Sequence, residues 1–174
     1  MSRIAMVPLF IIFMMMDRDY CDIVGLIIFI IASVTDSVDG YIARKYNQVS
    51  DFGKFIDPLA DKLLVMSAIL IFVERGQMAS WAAMLIITRE FAVTALRLVA
   101  VEGGIVIAAG TSGKIKTVVS IVAICFMLTS LRKLQIIGDM LDVNGLCVAM
   151  ILITTLWSGV EYFIKNRSVV SFRK

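Results

Sequence analysis

The chain has 174 residues, 60% of them hydrophobic and 18% charged, with a mean hydropathy of +0.92. A soluble domain is roughly 45–50% apolar and about 25% charged, so an ordinary soluble domain, a disordered chain and a disulfide scaffold are excluded, and lipid is the expected surrounding. Seventeen Lys and Arg against fourteen Asp and Glu leave +3, too little to suggest nucleic acid as a partner.

Six apolar runs separated by charged or Gly-containing breaks predict spans near 4–16, 22–44, 55–74, 79–101, 114–131 and 143–164. At about 20 residues per membrane helix, six spans use roughly 120 residues and leave no room for a second, soluble domain. The expected fold is an all-α integral membrane protein, one domain over 1–174. The first run lacks a small-residue cleavage site and reads as a retained span rather than a signal peptide. It is followed by an acidic turn, Asp17, Asp19 and Asp22. Asp51 reads as a loop or capping residue, and Pro58 as a first-turn residue of the third span, where its missing amide donor is harmless. Cys21, Cys125 and Cys147 are odd in number and fit no metal-ligand spacing; two of them lie in apolar runs where thiols pack as small hydrophobes, and no function is read into the three. Trp81, Trp157 and Tyr162 read as interfacial or packing aromatics, and the eleven methionines as fillers of irregular apolar space.

Lys and Arg in loops and tails set orientation. Arg3, Arg44, Lys45, Lys54, Lys114, Lys116, Lys165, Arg167, Arg173 and Lys174 fall on one side; Arg18, Arg75, Arg132 and Lys133 fall on the other. The bias predicts both termini in the cytoplasm, as an even number of spans requires.

The end of the second span and the start of the third carry carboxylates at membrane depth. Asp36, Asp39, Gly40, Ala43 and Arg44 share one face of a helix, and Gly53, Asp57 and Asp61 recur at four-residue intervals on the next. Each ionised carboxylate there costs about 2.5–3.5 kcal/mol on insertion scales, so four need cations. Arg44 and Lys62 are too few and lie at the rim, whereas hard divalent ions take oxygen ligands and keep positions open for substrate phosphates. Two such ions suit phosphoryl transfer, because they stabilise both the attacking and the leaving oxygen. Gly40, Ala43 and Gly53 let a bulky ligand approach the helix backbone. Taken singly, a small residue here more often means helix packing, and a lone Asp a structural hydrogen bond.

The pattern D-x2-D-G-x2-A-R-x8-G-x3-D-x3-D from Asp36 to Asp61 resembles the signature of the CDP-alcohol phosphotransferases at all eight positions. T-R-E-F at 88–91, L-R at 96–97, A-A-G-x-x-G-K-I-K-T at 108–117 and W-S-G-V-E-Y-F at 157–163 are similar to the bacterial branch that uses glycerol 3-phosphate. The resemblance implies a six-helix enzyme of the bacterial cytoplasmic membrane, commonly a homodimer, seated among membrane lipids with its site toward the cytoplasm. It implies CDP-diacylglycerol as donor, glycerol 3-phosphate as acceptor, and CMP and phosphatidylglycerol phosphate as products. Carried over position by position, Asp36, Asp39, Asp57 and Asp61 would bind two Mg²⁺ or Mn²⁺ ions. Asp61 would also be the general base, and Gly40, Ala43, Arg44 and Gly53 would frame the cytidine and diphosphate. Family members commonly begin with an amphipathic stretch containing N-x-P-N-x-L-T before the R-I-x-x-x-P that here is Arg3 to Pro8. That stretch is read as missing.

Arg89, Glu90 and Arg97 lie inside the fourth span, where charge is costly and faces the protein interior. Glu90 and Arg97, seven apart, share a face. Two arginines to one glutamate leave positive charge suited to an acceptor phosphate, and Lys114 and Lys116 add two more donors. The blander readings are an interhelical ion pair for Glu90 and ordinary flanking charges for the lysines. Two other functions fit parts of the pattern. One is the same donor with another phospho-alcohol such as inositol phosphate; the other is a divalent-cation channel or transporter built on the Asp cluster.

Overall fold

Long apolar runs without internal breaks favour continuous helices, because in lipid each backbone amide and carbonyl must be satisfied within its own segment. The computed structural model describes residues 2–16, 19–46, 51–102, 110–129 and 143–167, with side chains over 6–16, 20–35, 62–101, 110–129 and 143–167. Six helices and no strands occur among the described residues: α1 Ser2–Met15, α2 Asp19–Tyr46, α3 Asp51–Glu74, α4 Ser80–Glu102, α5 Thr111–Leu128 and α6 Val143–Lys165. Each expected span corresponds to one helix.

The ends correct two local readings. Helix α3 starts at Asp51, so Pro58 lies seven residues past the start rather than in the first turn. A proline there removes an intrahelical hydrogen bond instead of occupying a free position. Asp51 is itself the first helical residue. At the other end, Gly76 takes φ +68°, while Gln77 N–H donates to Phe72 O at 2.8 Å and Gly76 N–H to Val73 O at 3.0 Å. This pair of bonds closes a helix with a left-handed glycine, and α4 follows after a short turn.

Helix α1 packs on α2 and α3, α4 on α3 and α6, and α5 on α6 and α2. Phe10, Phe29, Phe72, Ile69, Ile86, Ile124 and Ile151 are fully buried between them. Phe10 and Phe29 lie with ring centroids 6.0 Å apart. The end of α3 is fastened to the first two helices by Arg75, which donates to Asp22 Oδ1 at 2.7 Å and to Met14 O at 2.6 Å. The three cysteines are free thiols.

Outside this core the surface is apolar. Trp81, Met84, Ile153 and Ile164 are each about two-thirds exposed, and every described helix shows further bare Leu, Ile, Val, Met or Phe. Soluble monomers do not carry so much continuous apolar surface. Among the described residues, α5 and α6 are long and apolar enough to cross a membrane, whereas α4 is interrupted by Arg89, Glu90 and Arg97. This is a membrane protein.

Candidate active site

A charge inside an apolar helix is tolerated only with partners close by, and α4 finds them on three neighbours. Glu90 is the hub. Its Oε1 accepts from Arg89 Nη1 at 3.0 Å and from Lys116 Nζ on α5, and Lys62 Nζ on α3 lies 3.8 Å from its Oε2. Lys62 also donates to the Glu90 backbone carbonyl at 3.1 Å, which accepts from Thr94 Oγ1 at 2.7 Å as well. The bland reading of Glu90 as an interhelical ion pair therefore holds, and the same contacts organise a pocket. Lys116, read as possible flanking charge, is only 6% exposed.

The two arginines turn toward α6. Arg89 Nη2 donates to Ser158 Oγ at 2.7 Å. Arg97 shares a helix face with Glu90 yet pairs elsewhere: its Nε donates to Tyr162 OH at 3.2 Å, and its guanidinium carbon lies 5.4 Å from the centre of that ring. Tyr162 is 7% exposed and packs with Val93 and Leu96. Tyr162 is thus a packing aromatic, while Trp81 and Trp157 are exposed as interfacial aromatics are.

Arg89, Arg97, Lys114 and Lys116, together with Lys62 and Glu90, line one open cavity of about 380 Å³ between α4, α5 and α6. All four residues expected to meet an acceptor phosphate are brought to this one place. Among the described residues its wall carries five cationic side chains and one carboxylate, an arrangement that attracts an anion and can bind it bidentately through guanidinium. A second cavity of about 180 Å³ adjoins it, sharing Lys62, Glu90, Lys116 and Thr117, and is otherwise mostly apolar, with Ala32, Ile69, Ile86 and Ile121 in its wall.

Ser33 of α2 and Lys62 of α3 both border this second cavity, so α2 reaches it three residues before Asp36 and α3 one residue after Asp61. Asp36, Asp39, Gly40, Ala43 and Arg44 lie within the unbroken helix α2, and Gly53, Asp57 and Asp61 within α3. Their side chains lie outside the described residues. Helical register keeps Asp36 with Asp39 on one face and Asp57 with Asp61 on another. As a set of residue types, four carboxylates without imidazole or thiolate would fit a hard divalent ion such as Mg²⁺ or Mn²⁺ and suit soft metals poorly.

Sequence reasoning missed Ser158, Gly159 and Tyr162 as companions of the arginines, and took Lys62 only as a rim charge. The available signal was the polar spacing on α6: Ser158 and Tyr162 are one turn apart in an apolar helix.

Residues 1–158 match the family model of the CDP-alcohol phosphatidyltransferases. The chain is 44% identical to the CDP-diacylglycerol--glycerol-3-phosphate 3-phosphatidyltransferase of Bacillus subtilis (strain 168), over 95% of this chain and 91% of that protein. It is 36% identical to a probable phosphatidylglycerophosphate synthase of Mycobacterium tuberculosis, covering 92% of this chain and 75% of that one. Against the Haemophilus influenzae protein named like the first, identity is 35%, with 92% and 86% covered. With the signature on α2 and α3, the basic pocket beside it and a family match spanning most of its length, this chain belongs to the CDP-alcohol phosphatidyltransferase family.

Proposed function

We propose that the protein transfers the phosphatidyl group of CDP-diacylglycerol to glycerol 3-phosphate, releasing CMP and forming phosphatidylglycerol phosphate. The observation that carries the choice of acceptor is the convergence of Arg89, Arg97, Lys114 and Lys116 on one cavity, whose wall includes Lys62, the residue after Asp61. An acceptor bearing its own phosphate is held there by charge, with its hydroxyl directed toward the carboxylate signature. Serine, choline or ethanolamine would gain nothing comparable from these cations. Relatives named for glycerol-3-phosphate transfer support the same choice.

In this reading Asp61 takes the proton of the acceptor hydroxyl. The freed oxygen attacks the lipid-side phosphorus, the bond from that phosphorus to the CMP oxygen breaks, and CMP leaves. Asp36, Asp39, Asp57 and Asp61 would hold Mg²⁺ or Mn²⁺, which supplies positive charge against the diphosphate and the departing CMP. Gly40, Ala43, Arg44 and Gly53 frame the cytidine and diphosphate on the two small-residue faces. Arg89 and Arg97 orient the acceptor.

The positive-inside bias supports six spans with both termini and the site in the cytoplasm, on the bacterial cytoplasmic membrane. Assembly as a homodimer is supported by family likeness.

The test is CMP release by protein purified in detergent with CDP-diacylglycerol and Mg²⁺, comparing glycerol 3-phosphate, inositol phosphate, serine and no acceptor. Release with glycerol 3-phosphate alone is expected. Release with another alcohol alone would replace the acceptor assignment. Divalent-cation flux into proteoliposomes without CMP release from any mixture would replace the enzyme by a channel.

A further inference from the structure

We propose that Ser158, Gly159 and Tyr162 of α6 are positioning residues for the acceptor: they hold the guanidinium groups of Arg89 and Arg97 in the geometry that receives its phosphate. The proposal rests on the reading of the basic pocket given above and adds a function for the W-S-G-V-E-Y-F segment.

A free arginine side chain samples many rotamers, and each must be given up before two guanidiniums can clamp one anion. Helix α6 removes this freedom in advance at three points. Ser158, 1% exposed, accepts from Arg89 Nη2 at 2.7 Å. Gly159 leaves space for the arginine to lie against the helix: a Cβ there would stand 3.1 Å from Arg89 Cγ and 3.5 Å from its Nε. Arg89 Nε is buried without a hydrogen-bond partner among the described residues, so packing on the glycine, not a polar bond, sets that edge. Tyr162 then fixes the second guanidinium by its hydroxyl and its ring face.

The three positions follow from helix geometry. Ser158 and Tyr162 are one turn apart on α6, and Arg89 and Arg97 lie two turns apart on α4. Arginine side chains lean toward the helix N-terminus, which lets Arg97 reach back to Tyr162 while Arg89 meets Ser158. Since α6 packs on both α4 and α5, one face of α6 sets the arginine side of the pocket relative to the lysine side. None of the three residues needs to touch the reacting atoms. They act through the arginines.

The experiment measures CMP release by the full chain in detergent, with saturating CDP-diacylglycerol and Mg²⁺ and varied glycerol 3-phosphate, for Gly159→Ala, Tyr162→Phe, Arg89→Lys and the Arg89→Lys/Gly159→Ala double variant. Gly159→Ala is expected to raise the acceptor KM about tenfold, because a displacement of under an ångström at a binding group is amplified in this way. Tyr162→Phe keeps the ring and is expected to raise it about threefold. In both, kcat and the donor KM stay within about twofold of wild type, and Gly159→Ala adds little on the Arg89→Lys background, where the group it positions is already gone. An acceptor KM unmoved by Gly159→Ala and Tyr162→Phe but raised by Arg89→Lys would overturn the role of α6. Equal losses in kcat and both KM values in the two α6 variants would mark a merely structural role and overturn it as well. An acceptor KM unmoved even by Arg89→Lys would overturn the pocket reading itself, and the proposal with it.

Discussion

Lys116 on α5 and Glu90 on α4 form an ion pair whose side chains are 7% and 14% exposed, and Arg89 shares the same carboxylate oxygen. A buried charge pair gives little net stability over an apolar one, but removing one member strands the other. Glu90 is thus the resident counter-ion that keeps these cations inside an apolar bundle, and under the proposed function an acceptor phosphate would compete with it for the same donors.

Glu90→Gln is expected to destabilise the protein by about 3–5 kcal/mol, since it leaves Lys116 and Arg89 without their carboxylate. Inorganic phosphate or glycerol 3-phosphate should raise the apparent melting temperature in detergent more for this variant than for wild type, because the ligand then replaces a missing charge. An unchanged melting temperature without ligand would refute the counter-ion role.

Much of this was legible in the chain. Apolar run length located all six helices, and the costliness of charge in lipid singled out Arg89, Glu90 and Arg97 before their surroundings were known. Periodicity within one helix could not reveal that Arg97, on the same face as Glu90, pairs with Tyr162 instead, because the partner lies 65 residues on and is chosen by the packing of α4 on α6. Lys116 illustrates the same limit: beside a loop it looks like flanking charge, and only the packed bundle sets it, buried, against Glu90 of α4. The Pro58 error has a different cause. A polar, acidic stretch conceals a helix start, so α3 begins earlier than its apolar run.

Arg75 belongs to the end of the bundle away from the basic pocket. It donates to Asp22 and to the Met14 carbonyl, tying α1, α2 and α3 together, and is 22% exposed. Hydrogen bonds to a charged group contribute about 1.5–3 kcal/mol. Arg75→Gln should lower stability by about that amount while the acceptor KM of the folded fraction stays unchanged. A selective rise in that KM would mean that the two ends are coupled.

Asp61→Asn tests the base. Loss of a general base typically costs about 10²–10⁴-fold in rate, so CMP release should fall within that range. Mn²⁺ binding, followed by electron paramagnetic resonance, should weaken without disappearing, because three carboxylates of the signature remain. Chelation of wild type by EDTA should stop CMP release, and Mg²⁺ or Mn²⁺ should restore it. Turnover retained in Asp61→Asn would move the base elsewhere.

The two lysines of α5 separate charge from architecture. Lys114 is exposed on the pocket wall, whereas Lys116 is buried against Glu90. An exposed ion pair contributes only about 0.2–1 kcal/mol, so Lys114→Ala should raise the acceptor KM about two- to fivefold and leave stability alone. The attraction that Lys114 supplies is screened by salt, with a Debye length of about 8 Å at 0.15 M; raising ionic strength should therefore shrink the difference from wild type. Lys116→Ala removes a partner of a buried carboxylate and should both destabilise the bundle and raise the acceptor KM, with much less response to salt. Equal effects from the two substitutions, at low and high salt alike, would mean that burial does not distinguish these lysines.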